Sequence, residues 1–111
     1  MANKKENAII LMEEIIQGIE NVKGESIQKM DLRKIENTPF EFFVICSGNS
    51  NTQVSAIVNS IQKNVSKRLH EKPLHTEGLE MSEWVLVDYV NVVVHVFQRK
   101  TREFYNLSLI H

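Results

Sequence analysis

Apolar residues at Ala8, Met12, Ile15, Ile16, Ile19 and Val22 recur at helical spacing, while Lys5, Glu6, Glu13, Glu14 and Gln17 occupy the other sectors. The pattern predicts a helix over residues 5–22 that closes near Gly24. From Ser26 to Leu32 the period changes to two: Gln28, Met30 and Leu32 lie on one side, Ile27, Lys29 and Asp31 on the other. That reads as a weak or edge strand. Lys34 to Pro39 is polar, ends in proline and forms a connection. Phe40 to Ser47 is apolar nearly throughout, which suits a central strand buried on both faces.

The run of turn-formers that follows contains Ser50 and Gln53 at capping-box spacing. In such a box the Ser hydroxyl accepts from the N3 amide and the Gln side chain reaches back to the cap. A second helix should therefore begin here. It carries Val54, Ile57, Val58, Ile61, Val65 and Leu69 at steps of three and four, out to about His70, and Pro73 stops it. A short strand at Leu74 to Glu77 precedes Gly78, and two strong strands, Trp84 to Tyr89 and Val92 to Phe97, are separated by Val90 and Asn91. Thr101 can cap a short third helix, with Phe104, Tyr105, Leu107 and Leu109 as its apolar surface. The order α-β-β-α-β-β-β-α predicts an α/β domain with a single mixed sheet of about five strands and flanking helices.

A loop centred on Val90 and Asn91 sets Asp88 opposite Val93, Leu86 opposite His95 and Trp84 opposite Phe97, and directly opposed side chains share a face. One face of this hairpin is then Val85, Val87, Tyr89, Val92, Val94 and Val96, the obvious core side. The other holds Trp84, Leu86, Asp88, Val93, His95 and Phe97, a composition found under a covering helix or at the centre of a partner interface.

Composition narrows the classes. The 111 residues suffice for one domain, 1–111, with one core, and 42% hydrophobic with 24% charged is ordinary for a globular protein. With 13 basic and 14 acidic residues there is no positive excess to neutralise a phosphate backbone, so no direct sequence-specific nucleic-acid binding is expected. Cys46 is the only cysteine, which excludes an internal disulfide and a thiolate zinc cage. The N-terminal residues show no secretory pattern and no apolar run approaches the roughly 20 residues needed to span a bilayer, so the expected location is cytoplasmic, without membrane contact.

His95 admits three readings: catalytic base, metal ligand, or a polar group satisfied within the packing by a backbone carbonyl, Asp88 or a neighbouring polar group. A base needs a nucleophile or activated water and an orienting partner, and no such constellation is legible. His70, His75 and His111 show no H-x-x-x-H spacing on a predicted helix. No metal or cofactor is expected. Trp84 is either a core filler or an anchor, and its place after the acidic stretch Glu77 to Glu83 strengthens the second reading. The Ser47-Gly48-Asn49-Ser50 turn lacks the glycine spacing of a phosphate loop and reads as a strand-to-helix connection. Arg102 near a helix start opposes the helix dipole, so a carboxylate is expected to hold it.

Several stretches, taken in order, resemble the Iojap-like ribosomal silencing factors. They are Phe43-Val44-Ile45 leading into Ser47-Gly48-Asn49-Ser50 with Gln53-Val54; Glu77-Gly78; Trp84-Val85-Leu86-Val87-Asp88-Tyr89; and Val92-Val93-Val94-His95-Val96-Phe97 followed by Arg102, Phe104, Tyr105 and Leu107. The resemblance implies a fold related to the nucleotidyltransferases without established enzymatic activity. It also implies binding to the large ribosomal subunit through its fourteenth protein, so that the small subunit cannot join and translation falls when nutrients run short. The family-matched site residues are Trp84, Asp88, His95, Arg102 and Tyr105, with Glu77, Glu80 and Glu83 as an acidic rim suited to a basic partner.

The chain also departs from the family. Glu41 stands for the usual Asp, Val90-Asn91 for the usual Gly-Asp turn, and Leu107 to His111 for the common acid and tryptophan. Without a glycine, a positive-φ turn is costly, so a longer hairpin loop is expected. Two other classes stay in view. One is a small nucleotidyltransferase-like enzyme, which would want closely spaced carboxylates for magnesium where no Asp-x-Asp pair exists. The other is a self-associating homodimer using the same aromatic face.

Overall fold

Two long helices and five strands follow the order α1 (Lys4–Asn21), β1 (Glu25–Asp31), β2 (Phe42–Gly48), α2 (Asn51–Leu69), β3 (His75–Glu77), β4 (Trp84–Asp88) and β5 (Val92–Gln98). The structure, a computed structural model, describes residues 4–35 and 37–102. The strands form one mixed sheet in the order β1-β2-β5-β4-β3. β5 runs parallel to β2 and antiparallel to β4, and β1 and β3 pair antiparallel at the two edges. The α/β class and five-stranded mixed sheet expected from the sequence are the ones found. The middle of the sheet, however, is β5. The apolar run over Phe40 to Ser47 shortens to β2 and takes the second position, between β5 and the edge.

Both helices pack on one side of the sheet. Val44 and Cys46 of β2, Val85 and Val87 of β4, and Val92, Val94 and Val96 of β5 meet Leu11, Ile15 and Ile19 of α1 and the Val54, Ile57, Val58, Ile61 and Val65 stripe of α2. Burying each such side chain contributes roughly 1.5–3 kcal/mol, so this valine face carries most of the stability. α1 and α2 approach closely at Gly18, where an added Cβ would lie 2.8 Å from the Cα of Ile61. Ser60 also donates to the Gly18 carbonyl at 2.6 Å. The consequence is that the opposite face of the sheet carries neither α1 nor α2.

The N-terminus of α2 is capped, with a change from the expected box. Ser50 Oγ accepts from the Gln53 amide at 3.1 Å, as predicted. Gln53 Oε1, however, accepts from the amide of Asn49, one residue before the cap, at 2.6 Å. Its Nε2 also donates to the carbonyls of Val22 and Lys23, so the same side chain ties the end of α1 to the start of α2. At the other end, His70 closes the helix in the left-handed region at φ 56°. A helical turn covers residues 99–102, so Thr101 lies within it rather than at its cap. Phe104, Tyr105, Leu107 and Leu109 lie outside the described residues.

The β4–β5 hairpin keeps the predicted register, with Trp84 opposite Phe97, Leu86 opposite His95 and Asp88 opposite Val93. The expectation of a longer loop is overturned. Tyr89 donates to the Val92 carbonyl at 2.9 Å, which leaves only Val90 and Asn91 in the turn. Asn91 donates to the Tyr89 carbonyl at 3.0 Å, and Val90 between them sits at φ 78°, the strained form of a γ-turn. Two contacts hold it there: Asp88 Oδ1 accepts from the Val90 amide at 2.7 Å, and the Asn91 carbonyl accepts from Glu41 and Phe42 at the start of β2. A β-branched residue at positive φ costs of order 1–3 kcal/mol, and glycine returns part of any gain as chain entropy. Val90→Gly is therefore expected to stabilise the fold by about 1 kcal/mol in urea denaturation. An unchanged or lower midpoint would show that the Val90 backbone is unstrained.

Candidate functional site

The sheet face that α1 and α2 leave alone is organised in rows fixed by strand register. At one end Trp84 of β4, Phe97 of β5 and Ser47 of β2 lie side by side. The next row is Glu77 of β3, Leu86, His95, Ile45 and, on β1, Gln28. The third is His75, Asp88, Val93, Phe43 and Met30. Phe97, Val93 and Ile45 are buried, whereas Phe43, Leu86 and His95 are half-buried and Trp84 is 41% exposed.

The rings form a cluster. Trp84 stacks on Phe97 with centroids 5.0 Å apart, and His95 lies 4.5 Å from Phe43 and 6.0 Å from Phe97. Trp84 Nε1 donates to His95 Nδ1 at 2.8 Å. An indole N–H can only donate, so Nδ1 carries the lone pair and the proton of the neutral ring sits on Nε2. Thus His95 is a polar group satisfied within the packing, and its partner is Trp84 rather than a backbone carbonyl or Asp88. Among the described residues no group of three or more His, Cys, Asp and Glu is placed to hold a metal.

Desolvation pushes the His95 imidazole down from its ordinary 6.5 to about 4. The unfolded chain takes up this proton near pH 6.5 and the folded chain only near 4, so the unfolded state binds more protons between those values. Stability is therefore full above pH 6.5 and falls as pH drops toward 4. Allowing for solvent screening of a half-buried ring, the loss is about 2 kcal/mol. Urea titrations at pH 7 and pH 4.5 check it, with His95→Gln removing this component while carboxylate effects remain. Equal pH dependence in the two proteins would contradict it.

The connection between β3 and β4 frames the exposed indole. Glu77, Glu80 and Glu83 are exposed along it, as are Leu79 at 41% and Met81 at 65%. Ser82 fixes its shape: its amide donates to the Gly78 carbonyl at 2.9 Å and its hydroxyl to the Leu79 carbonyl at 2.7 Å. Glu77, Gly78, Trp84, Leu86 and His95 line a shallow recess at this end of the face. Glu77 also pairs with His75 Nε2 at 2.7 Å.

The remaining predicted residues are placed differently. Asp88 lies at the far end of β4 from Trp84, about 13 Å along the strand at 3.3 Å per residue. One of its carboxylate oxygens is engaged by the Val90 turn. Arg102 is buried, and among the described residues no carboxylate holds it. Its guanidinium donates to the Ser26 carbonyl and to Ser47 Oγ, the latter at 2.9 Å, which ties the 99–102 turn to β1 and β2 at the end of the Trp84 row. Tyr105 lies outside the described residues. So Trp84, His95 and Glu77 line one recess, Glu80 and Glu83 stand exposed on the connection that leads from β3 to β4, and Asp88 does not join them.

Sequence reasoning missed Leu79 and Met81. Their signal was available: two apolar residues interleaved with glutamates in a loop, where no helical or strand period could bury them. It also missed Phe43, whose place beside His95 depends on the parallel pairing of β2 with β5.

The chain matches the family profile described as "Ribosomal silencing factor during starvation" over residues 5–110. It is 36% identical over 95 residues to a ribosomal silencing factor of Chromobacterium violaceum, covering 86% of this chain and 76% of that protein. A ribosomal silencing factor of Halalkalibacterium halodurans is 35% identical over 98 residues, covering 88% and 82%. Among solved structures, a Chromobacterium violaceum protein superposes with a TM-score of 0.81 at 33% identity, covering 90% of this chain and 82% of that one.

Proposed function

Because the chain belongs to the ribosomal silencing factor family, we propose that it binds the large ribosomal subunit through that subunit's fourteenth protein and sterically blocks joining of the small subunit. Translation is thereby repressed under nutrient limitation. The observation that carries this reading is the exposed indole of Trp84, set on buried Phe97 in a recess with Glu77 and His95, at the end of a connection that exposes Leu79, Met81, Glu80 and Glu83. An apolar centre with a charged rim is the anatomy of a protein interface, and the sign of the rim suits a basic ribosomal protein.

In this reading Trp84, Leu79 and Met81 supply the desolvated contact, and the glutamates pair with lysine or arginine on the partner and speed encounter. Arg102 and Ser47 hold the row behind Trp84. Asp88 braces the distant hairpin turn and contributes at the margin, and Tyr105 is a further contact residue by family match. The protein acts in the cytoplasm by occupying a surface, without cofactor or catalytic step.

The test is a sucrose-gradient assay of subunit joining. Preincubating purified large subunits with excess protein is expected to leave small subunits unjoined. Formation of joined ribosomes at the control level would defeat the proposal. If size exclusion showed that a homodimer occludes Trp84 and dissociates only on adding large subunits, the face would serve both contacts; a homodimer that large subunits do not displace counts against ribosome docking.

A further inference from the structure

His95 is a half-buried ionisable group on the docking face, and its hydrogen-bonding nitrogen points at the ring that supplies the contact. Trp84 hangs from a strand end and is 41% exposed, so packing alone does not fix both of its torsions. Among its contacts with described residues of the face, stacking on Phe97 at 5.0 Å and donation to His95 Nδ1 at 2.8 Å orient the indole. The stacking leaves a half-turn about the second torsion open, because that turn keeps the ring plane and only reverses the N–H edge. The hydrogen bond removes that freedom, because it is directional and its acceptor is itself immobile. His95 sits at the centre of the middle strand, 4.5 Å from Phe43 and opposite Leu86.

Building on the docking reading above, we propose that His95 is a positioning residue for binding. It does not need to touch the ribosome. Its Nδ1 lone pair holds the Trp84 indole in the orientation that docks, so that little side-chain entropy is lost when the complex forms. Preorganising an interface ring in its bound rotamer raises affinity by this route.

The arrangement also requires the neutral ring, since a proton on Nδ1 would face the indole N–H. Among the described residues, the titratable groups on the face around His95 are Glu77 and His75 of β3 and Asp88 of β4; β2 contributes Phe43 and Ile45, and β5 itself Val93 and Phe97. Binding should weaken as pH falls toward 4 in a manner that depends on residue 95, and an acid loss shared by every variant would come from other groups.

The experiment is a double-mutant cycle on the full chain, read as affinity for purified large ribosomal subunits at pH 7.5. His95→Ala is expected to weaken binding by about tenfold and His95→Gln, whose amide oxygen can accept the indole N–H, by about threefold or less. In a Trp84→Phe background, which keeps a ring but has no N–H, His95→Ala should change affinity by less than about twofold. Emission of the single tryptophan should shift in His95→Ala and stay near the parent in His95→Gln, while thermal unfolding confirms that each variant is folded. Equal losses on His95→Ala in both backgrounds would overturn the proposal, as would no loss in either. A parent affinity unaffected by Trp84→Ala would instead overturn the docking surface itself, which separates the two failures.

Discussion

Replacing Trp84 by alanine is expected to weaken binding to large ribosomal subunits by about a hundredfold while leaving the fold intact. A desolvated aromatic anchor at the centre of an interface accounts for 2 kcal/mol or more of truncation cost. The stability cost is smaller. Trp84 lies at a strand end, is already 41% exposed, and stacks on Phe97 and donates to His95. Losing one offset ring contact and one hydrogen bond amounts to about 1–2 kcal/mol of unfolding free energy. By contrast, a single Glu80→Gln or Glu83→Gln change removes a solvent-exposed charge, whose partner attraction is screened by water and salt and affects association rate more than affinity. The ordering is therefore diagnostic: the indole dominates, and the glutamates contribute modestly and in a salt-dependent way. Affinity measured at two ionic strengths, with circular dichroism of each variant, checks both halves. A rim variant that costs as much as Trp84→Ala would assign the interface to charge rather than to the aromatic cluster.

Gly78→Ala is expected to destabilise the protein by about 4 kcal/mol, the largest effect of any single added methyl group on this face. Two independent costs combine. Gly78 adopts φ 93°, where an L side chain is strained, and a Cβ built there would lie 2.2 Å from the Trp84 carbonyl oxygen. Strain at such a backbone position and overpacking against a neighbour each cost roughly 1–3 kcal/mol. The obstructing atom belongs to the main chain of β4, so no side-chain rotation relieves the clash. Relief requires β3 to move away from β4, where Glu77 pairs with Leu86. The Ser82 contacts that shape the 78–83 connection would move with it, taking Leu79 and Met81 out of place. Against a total stability of about 5–15 kcal/mol, the variant folds at low temperature but binds weakly. Urea denaturation reads the first effect and subunit affinity the second. A loss under about 1 kcal/mol would mean that the β3–β4 connection tolerates a side chain at this point.

Val90 and Gly78 show opposite uses of positive φ around the same strand. At 90, β-branched valine occupies the γ-turn because Asp88 and the Asn91 carbonyl hold the loop from both sides. At 78, the close approach to Trp84 leaves no room for any alternative to glycine. The sequence alone showed a missing glycine in the first case and an isolated one in the second. It did not show which position could bear the strain, since that depends on contacts with β2 and β4.

What was legible followed from periodicity. The valines of β4 and β5 alternate so regularly that only one register buries them together, and that register carried Trp84, Leu86, His95 and Phe97 to a common face. The helical stripes were equally clear, and the buried positions of α2 are the ones the step of three and four marks. Less was legible where one side chain chooses among partners of similar chemistry. Arg102 could have met a carboxylate but meets the Ser26 carbonyl and the Ser47 hydroxyl, which only the folding of the 99–102 turn over β2 brings near. His95 could have met Asp88 but meets Trp84, its diagonal neighbour on β4, because an indole reaches farther than a carboxylate. Asp88 was grouped with Trp84 because alternation reports the face and is silent on distance along it.

The most direct test of the central claim is a cryo-electron microscopy map of the large ribosomal subunit saturated with this protein. Density is expected in which Trp84, Leu79 and Met81 are buried against the fourteenth protein, with Glu77, Glu80 and Glu83 facing its basic side chains and α1 and α2 turned outward over the ground the small subunit would occupy. A complex held through the outer surface of α1 and α2, with the Trp84 indole in solvent, would contradict it.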